Sequence, residues 1–231
     1  MCILPPYPFS REENSLVRSA FGKYPQLFLG FVGINWLDDK PDDLIRYKDQ
    51  GFRGLKFIVP PKPYHDLEWY PLYEKAQELR MPGLFHTGIV ARAPGSPRVD
   101  NNFMRPIYLD TIARDFPEWQ IIGAHLGNPW YEEASMACRW NPNLYFDLTG
   151  STLKKKTAQF LAGLLWWGRF THYGDPEGRH AWEKIVFGSD VSYHEIHGVL
   201  HDYDRVIRAL GLSEEIRWKI LSGTAAKILG V

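Results

Sequence analysis

Short apolar runs alternate with helix-length amphipathic stretches along the whole chain. Cys2-Ile3-Leu4 reads as the tail of a strand that Pro5 and Pro6 stop at once. Ser10 and Glu13 stand at capping-box spacing, ahead of Leu16, Val17, Ala20 and Phe21 on one helical face. Leu27 to Ile34 is nearly continuous in apolar residues, which suits a strand buried on both faces. Pro41 to Gln50 predicts a helix with Leu44 and Ile45 turned inward and Gly51 as its stop. Leu55 to Val59 predicts the next strand, ended by Pro60-Pro61. Leu72, Tyr73, Ala76 and Leu79 mark a helix that closes before Met81-Pro82, and Gly83 to His86 is a short strand.

A Gly- and Pro-rich loop from Thr87 to Asn102 follows, and then the alternation resumes. It predicts a helix over Pro106 to Asp115, a strand over Ile121 to His125, a helix over Glu132 to Trp140 and a strand over Leu144 to Asp147. Ala158 to Trp167 is apolar on several faces and reads as a buried helix. Ile185 to Asp190 is the last strand. Helices over Gly198 to Leu210 and Ser213 to Leu221 close the chain, parted by Gly211. Strand and helix in strict alternation mean parallel pairing through helical crossovers. Counting the stub at Cys2, the strands number seven. A closed barrel wants eight, and an open doubly wound sheet would carry a Gly-rich phosphate loop that this chain lacks. No repeat or linker divides the sequence, so residues 1–231 read as a single domain.

Composition narrows the partners. Lys plus Arg equals Asp plus Glu at 27 each, so no global field attracts nucleic acid or an acidic membrane, and a small molecule is the expected ligand. Cysteine occurs only at positions 2 and 138, outside any Cys-x-x-Cys pattern, which argues against a disulfide framework or a structural zinc site. The start has neither a basic region nor a long apolar stretch, and no other run is long enough to span a membrane. The expectation is a cytoplasmic protein.

Three polar residues end apolar strands: His86, His125 and Asp190. In a barrel those ends meet on one face, where catalytic groups collect. Each alone has an ordinary structural explanation, as a hydrogen-bonded core histidine or a turn aspartate. Three on three separate strand ends point to a site. Imidazole and carboxylate there suit a divalent metal such as zinc or manganese.

His86-Thr87-Gly88, Ala124-His125-Leu126-Gly127 and Phe187-Gly188-Ser189-Asp190 resemble successive motifs of the amidohydrolase-related group within the amidohydrolase superfamily. Gly54-Leu55-Lys56 and Thr224 to Leu229 fit the same pattern. The resemblance implies a TIM (β/α)8 barrel with a mononuclear metal, most simply zinc, with manganese as the alternative. It makes His86 a metal ligand, Asp190 a ligand or base, and His125 a ligand or the acid/base beside the metal-bound water. The family's first strand carries a His-x-His pair, and this sequence shows no such strand. By pattern Met1 falls near the end of strand two, so the barrel reads as incomplete at its N-terminus. An upstream start, a trimmed chain and a true absence all remain open, and with them how well a metal binds.

Lys56 is expected to point into the barrel mouth or to pair with a carboxylate; in some superfamily members a lysine on the corresponding strand is carboxylated and bridges two metals. His194-Glu195-Ile196-His197 is not His-Glu-x-x-His, so a zinc-protease site is ruled out and His194 is placed on the substrate side or the surface. Arg92 and Arg98 lie in the loop after a catalytic strand, where arginine suits a substrate carboxylate. The functions that follow are a metal-dependent hydrolase of a C–N or C–O bond in a small, acidic substrate, a non-oxidative decarboxylase, or a non-catalytic barrel with a binding or assembly role. Relatives of this kind form dimers, so a homodimer is the assembly the resemblance implies.

Overall fold

Each of the seven apolar runs forms a strand, and the strands lie side by side in the order in which they occur. The computed structural model describes residues 1–7, 9–91, 98–168 and 179–231. The strands are β1 Cys2–Ile3, β2 Leu29–Gly33, β3 Gly54–Phe57, β4 Gly83–Phe85, β5 Ile121–Gly123, β6 Leu144–Asp147 and β7 Ile185–Val186, all parallel. The result is a half-barrel: β1 and β7 end the ladder, and no pairing joins them among the described residues.

Register sorts the side chains. Lys56 is opposite Leu84, Leu84 opposite Ile122, and Ile122 opposite Tyr145, so these four share the inner face. Ile122, Tyr145 and Val186 pack there with Leu84, closed by Ile228 and Ala225 of the terminal helix. The alternate residues face the helices: Phe57 stacks on Phe85 with centroids 4.4 Å apart, walled by Tyr73 and Trp119 in a larger aromatic core. That outer core holds the strands in place and leaves their C-terminal ends free for chemistry.

The helices on the outside are α1 Arg11–Lys23, α2 Pro41–Asp49, α3 Tyr70–Glu78, α4 Ile107–Asp115 and α5 Tyr131–Trp140. Beyond β6 come α6 Ser151–Lys155, α7 Ala158–Leu164, α8 Arg179–Trp182, α9 Ile196–Ala209, α10 Glu214–Trp218 and α11 Thr224–Leu229. The Ser10–Glu13 capping box is present. Leu16 and Ile45, expected inside, are exposed, because the buried stripes run through Asn14 and Val17 in α1 and through Leu44 and Tyr47 in α2. The helix expected over Ala158 to Trp167 stops at Leu164, yet Leu165 and Trp167 stay buried. The expected helix over Ser213 to Leu221 is broken by a π-helical turn, Lys219–Gly223.

Contacts from outside the sheet cover part of the edge beyond β7 and of β2 where β1 stops. Phe187 N–H, just past β7, donates to the Ile220 carbonyl of that π turn at 2.8 Å. Beyond the two paired residues of β1, the Asn14 side chain accepts from Gly33 N–H at 2.8 Å and donates to the Gly33 carbonyl at 3.0 Å, as a neighbouring strand would. An exposed strand edge is a template for pairing with another chain, and these contacts blunt it. Among the described residues no helix is long and apolar enough to cross a membrane.

Candidate active site

The strand ends open into a cavity of about 920 Å³ whose lining includes Lys56, His86, His125 and Asp190. Three of these stand at the ends of apolar runs, and Lys56 is a candidate through the family resemblance of Gly54-Leu55-Lys56. The structure brings all four together. Cys2 and Tyr193 line the same space.

His125 does not continue β5 as expected. The strand ends at Gly123, and His125, Leu126 and Gly127 follow with φ of 65°, 46° and 70°. Left-handed backbone at a non-glycine residue is unfavourable by about 1–2 kcal/mol, so something must hold it. The holders are polar. His125 N–H donates to the Asp147 carboxylate at 2.8 Å, and Thr152 Oγ1 donates to the His125 carbonyl at 2.7 Å. The turn is also locked to the loop after β4: Ile89 N–H donates to the Asn128 carbonyl at 3.0 Å, and Gly88, with φ of 105°, lies so close that a Cβ would come 2.2 Å from that oxygen. Only glycine satisfies both conditions at position 88.

The hydrogen bonds give the rings a direction. Thr149 Oγ1 donates to Asp147 Oδ1 at 2.6 Å, so the hydroxyl's proton is engaged and its lone pair accepts from His125 Nδ1–H at 2.6 Å. His125 Nε2 then carries a lone pair and accepts from His86 Nδ1–H at 3.2 Å. The chain of bonds ends on His86 Nε2, a buried nitrogen with no partner among the described residues. Burial, then the neighbouring His125 and Lys56, hold His86 well below the ordinary imidazole range, so it is neutral at pH 7.

Lys56 is 9% exposed and makes no hydrogen bond or ion pair among the described residues. Burial pushes its ammonium down to about 8, and the Asp147 and Asp190 carboxylates oppose that shift without closing an ion pair. Asp190 stands at the rim with φ of 49°, exposed.

The remaining expectations fall outside this set. His194 is exposed, and its ring lies against Tyr193, which takes the place in the cavity wall. Arg92 lies outside the described residues. Arg98 lines a neighbouring cavity with Trp36 and Phe103. Sequence reasoning passed over Asp147 and Thr149. Asp147 had the signature used for the others, a polar residue ending the apolar run Leu144-Tyr145-Phe146; Thr149 had none.

The metal expected at His86, His125 and Asp190 is tested by the donors present. The two facing ring nitrogens already satisfy each other through one proton, and among the described residues no three His, Cys, Asp or Glu side chains close into a cluster. Zinc sites take three or four protein ligands, so this donor set does not by itself fit a resident ion. Elemental analysis of the purified 231-residue chain is expected to find well under one zinc or manganese per chain. A full equivalent retained through gel filtration would show that a further donor completes the set.

Solved structures with the same architecture are numerous. An uncharacterised TIM-barrel protein of Bordetella bronchiseptica superposes with a TM-score of 0.67 at 20% identity, covering 94% of this chain and 72% of that one. A probable 2-pyrone-4,6-dicarboxylic acid hydrolase of Acinetobacter baumannii, with citric acid bound, gives 0.66 at 14% identity over 100% of this chain and 83% of that one. A 5-carboxyvanillate decarboxylase of Novosphingobium aromaticivorans, complexed with manganese and a nitrobenzoic acid, gives 0.63 at 14% identity over 95% and 69%. At these identities the likeness establishes the TIM-barrel kind of fold. No curated protein matches the sequence. The amidohydrolase family does match it, from residue 7 to residue 231, and with the half-barrel and its strand-end histidines this chain belongs to the amidohydrolase family.

Proposed function

We propose that this protein is a hydrolase that opens a C–N or C–O bond of a small acidic molecule, with the His86–His125 pair as its proton carrier. The observation that supports this most is the directed chain from Asp147 through Thr149 and His125 to His86 Nε2, which has no partner among the described residues. A water attacking a carbonyl carbon must lose a proton as its oxygen bonds. His86 Nε2 takes that proton, the His86 Nδ1 proton moves toward His125, and the Asp147 carboxylate balances the charge through Thr149. As the C–N or C–O bond breaks, the proton returns to the departing nitrogen or oxygen. The pair ends as it began.

The other two groups complement it. Among the described residues the Lys56 ammonium has no counter-charge at hydrogen-bond range, and it lines the cavity, where it would stabilise a carboxylate or the oxyanion of the tetrahedral intermediate. Asp190, at the rim, is the second group able to orient the attacking water. A fold shared with a probable 2-pyrone-4,6-dicarboxylic acid hydrolase makes carboxylate-bearing lactones and lactams the first substrates to try.

The test is a panel of such compounds against their uncharged counterparts. Turnover of the acidic members is expected, and His125→Asn should lower it by about 100-fold or more while thermal unfolding stays unchanged. Asparagine is chosen because it tolerates the left-handed backbone at position 125. Full activity in that variant would remove His125 from the mechanism, and release of carbon dioxide from an aromatic acid would reassign the protein as a lyase.

A further inference from the structure

Three arginines that take no part in the proposed hydrolysis converge on the outside of the barrel. Arg11 and Arg18 of α1 and Arg46 of α2 line one cleft of about 260 Å³ between the two helices. Positions 11, 15 and 18 are four and three apart, which sets Arg11, Ser15 and Arg18 along a single helical face. Gln50, one turn beyond Arg46, lines the cleft from the other side. The buried rings of Tyr47 and Phe52 form its floor, edge to face with centroids 6.0 Å apart. Asn14, the remaining lining residue, has its amide engaged by Gly33.

The charge in this cleft is not balanced. Among the described residues no Asp or Glu lines it. Arg46 reaches Asp43 at 2.9 Å and lies over the Tyr47 ring, so its guanidinium is held in place. Asp39, the other carboxylate that acts on Arg46, accepts from the Tyr47 hydroxyl and from Asn35 N–H. Arg11 and Arg18 are exposed, and among the described residues neither makes a hydrogen bond or an ion pair. In a chain with 27 basic and 27 acidic residues, three cations gathered without an intervening carboxylate repel one another, and a bound anion removes that repulsion. Arginine narrows the choice of anion. Its planar guanidinium binds phosphate through two parallel hydrogen bonds, and three of them suit an oxyanion with more than one charge. Ser15 and Gln50 add neutral donors. Pockets that enclose a whole organic ligand run from about 300 to 1,000 Å³, so this smaller cleft takes a charged head group rather than a complete molecule.

We propose that the cleft between α1 and α2 binds the phosphate group of a small soluble molecule through Arg11, Arg18 and Arg46. Arg46, oriented by Asp43 and Tyr47, forms the fixed side of the site. Arg11 and Arg18, on either side of Ser15, close on the anion from α1. The cleft shares no lining residue with the catalytic cavity, so the site stands apart from the proposed hydrolysis and its test needs no turnover.

The experiment titrates the whole 231-residue chain with pyrophosphate by isothermal calorimetry, in phosphate-free buffer at constant ionic strength. Saturable binding of one pyrophosphate per chain is expected. Arg11→Gln combined with Arg18→Gln should weaken it by roughly tenfold or more, because each change removes charge-assisted hydrogen bonds. Neither arginine has a polar contact among the described residues, so without pyrophosphate the double variant should unfold at the wild-type temperature. Arg53→Gln combined with Arg80→Gln, two exposed arginines of a different cavity, is the control and should bind as wild type does. Heat that never saturates would overturn the proposal. Equal affinity in wild type and the α1 double variant would overturn it too, by placing the anion elsewhere. So would attachment to vesicles containing phosphatidic acid without any response to free pyrophosphate, which would make the cleft a membrane contact.

Discussion

Asp147→Ala is expected to destabilise the protein more than any other single change at the cavity, and to abolish activity with it. The Asp147 carboxylate is 6% exposed and accepts three hydrogen bonds, from His125 N–H at 2.8 Å, Thr149 N–H at 2.9 Å and Thr149 Oγ1 at 2.6 Å. Hydrogen bonds to a charged acceptor contribute about 1.5–3 kcal/mol each, and a buried donor left without one is penalised further. The variant strands two backbone N–H groups and a hydroxyl at once. It also releases the left-handed turn at His125 and Leu126, which has no intrinsic preference for that conformation. The expected loss is about 3–6 kcal/mol, a large share of a domain stability of about 5–15 kcal/mol. Urea unfolding measures it. Asp147→Asn separates the two roles: its amide oxygen still accepts from both backbone groups, so the fold should survive with a loss of about 1–2 kcal/mol. The charge that balances the histidine pair is gone, however, so hydrolysis should still fall. An Asp147→Ala protein within about 1 kcal/mol of wild type would mean that the turn is held by packing alone, since losing three such bonds exceeds that figure.

The strands were legible because burial on both faces leaves no room for polar interruption, and the chain writes each one as an unbroken apolar run. The end of each run located the cavity. What the pattern could not show is the conformation of the chain beyond those ends. His125 looks like the last residue of a strand, and nothing in Ala124-His125-Leu126-Gly127 announces three successive left-handed residues. Such a turn is made by distant partners, Asp147 and Thr152, which lie 22 and 27 positions further along. Asp147 itself was in view, ending its run as His86 ends another. No motif surrounds it, and an aspartate at the end of a run also suits a turn. His194, expected on the substrate side or the surface, has an exposed ring that lies against Tyr193, which lines the cavity wall. Helix facing was the least secure element, because Leu16 and Ile45 are apolar yet lie one position off the buried stripes.

The half-barrel and the site are connected through the inner face. In a closed barrel the interior is filled by side chains from every strand. Here Ile228 and Ala225 of the terminal helix help fill it from below, against Leu84, Ile122, Tyr145 and Val186. That packing ends one layer beneath the cavity, and Lys56 stands at the boundary, level with Leu84 and Ile122. The same boundary explains why a lysine there is both buried and within reach of a ligand.

Lys56→Met should therefore make the protein more stable while impairing its chemistry. Methionine matches the length of the lysine stem and carries no charge to desolvate. In the folded protein the Lys56 ammonium is pushed from its ordinary 10.5 down to about 8 by burial, only partly offset by Asp147 and Asp190. Below pH 8 the lysine is charged in both states, and the folded state carries the full penalty, about 3 kcal/mol for a shift of that size. Between pH 8 and 10.5 the unfolded chain holds a proton that the folded chain has lost, so wild-type stability gains with rising pH across that window. Above it the penalty has gone. The Cys138 thiol, raised to about 11 by burial, acts in the opposite direction from pH 9 upward, but it does so equally in both proteins and cancels from their difference. The expectation is thus a methionine variant more stable by about 1–3 kcal/mol at pH 7, converging on wild type near pH 10.5. Urea unfolding of the two proteins at a series of pH values gives that difference directly. A methionine variant less stable than wild type at pH 7 would show that the ammonium has a counter-charge in the folded protein. A stability gain together with lost turnover is the signature of a group kept for function at the expense of the fold.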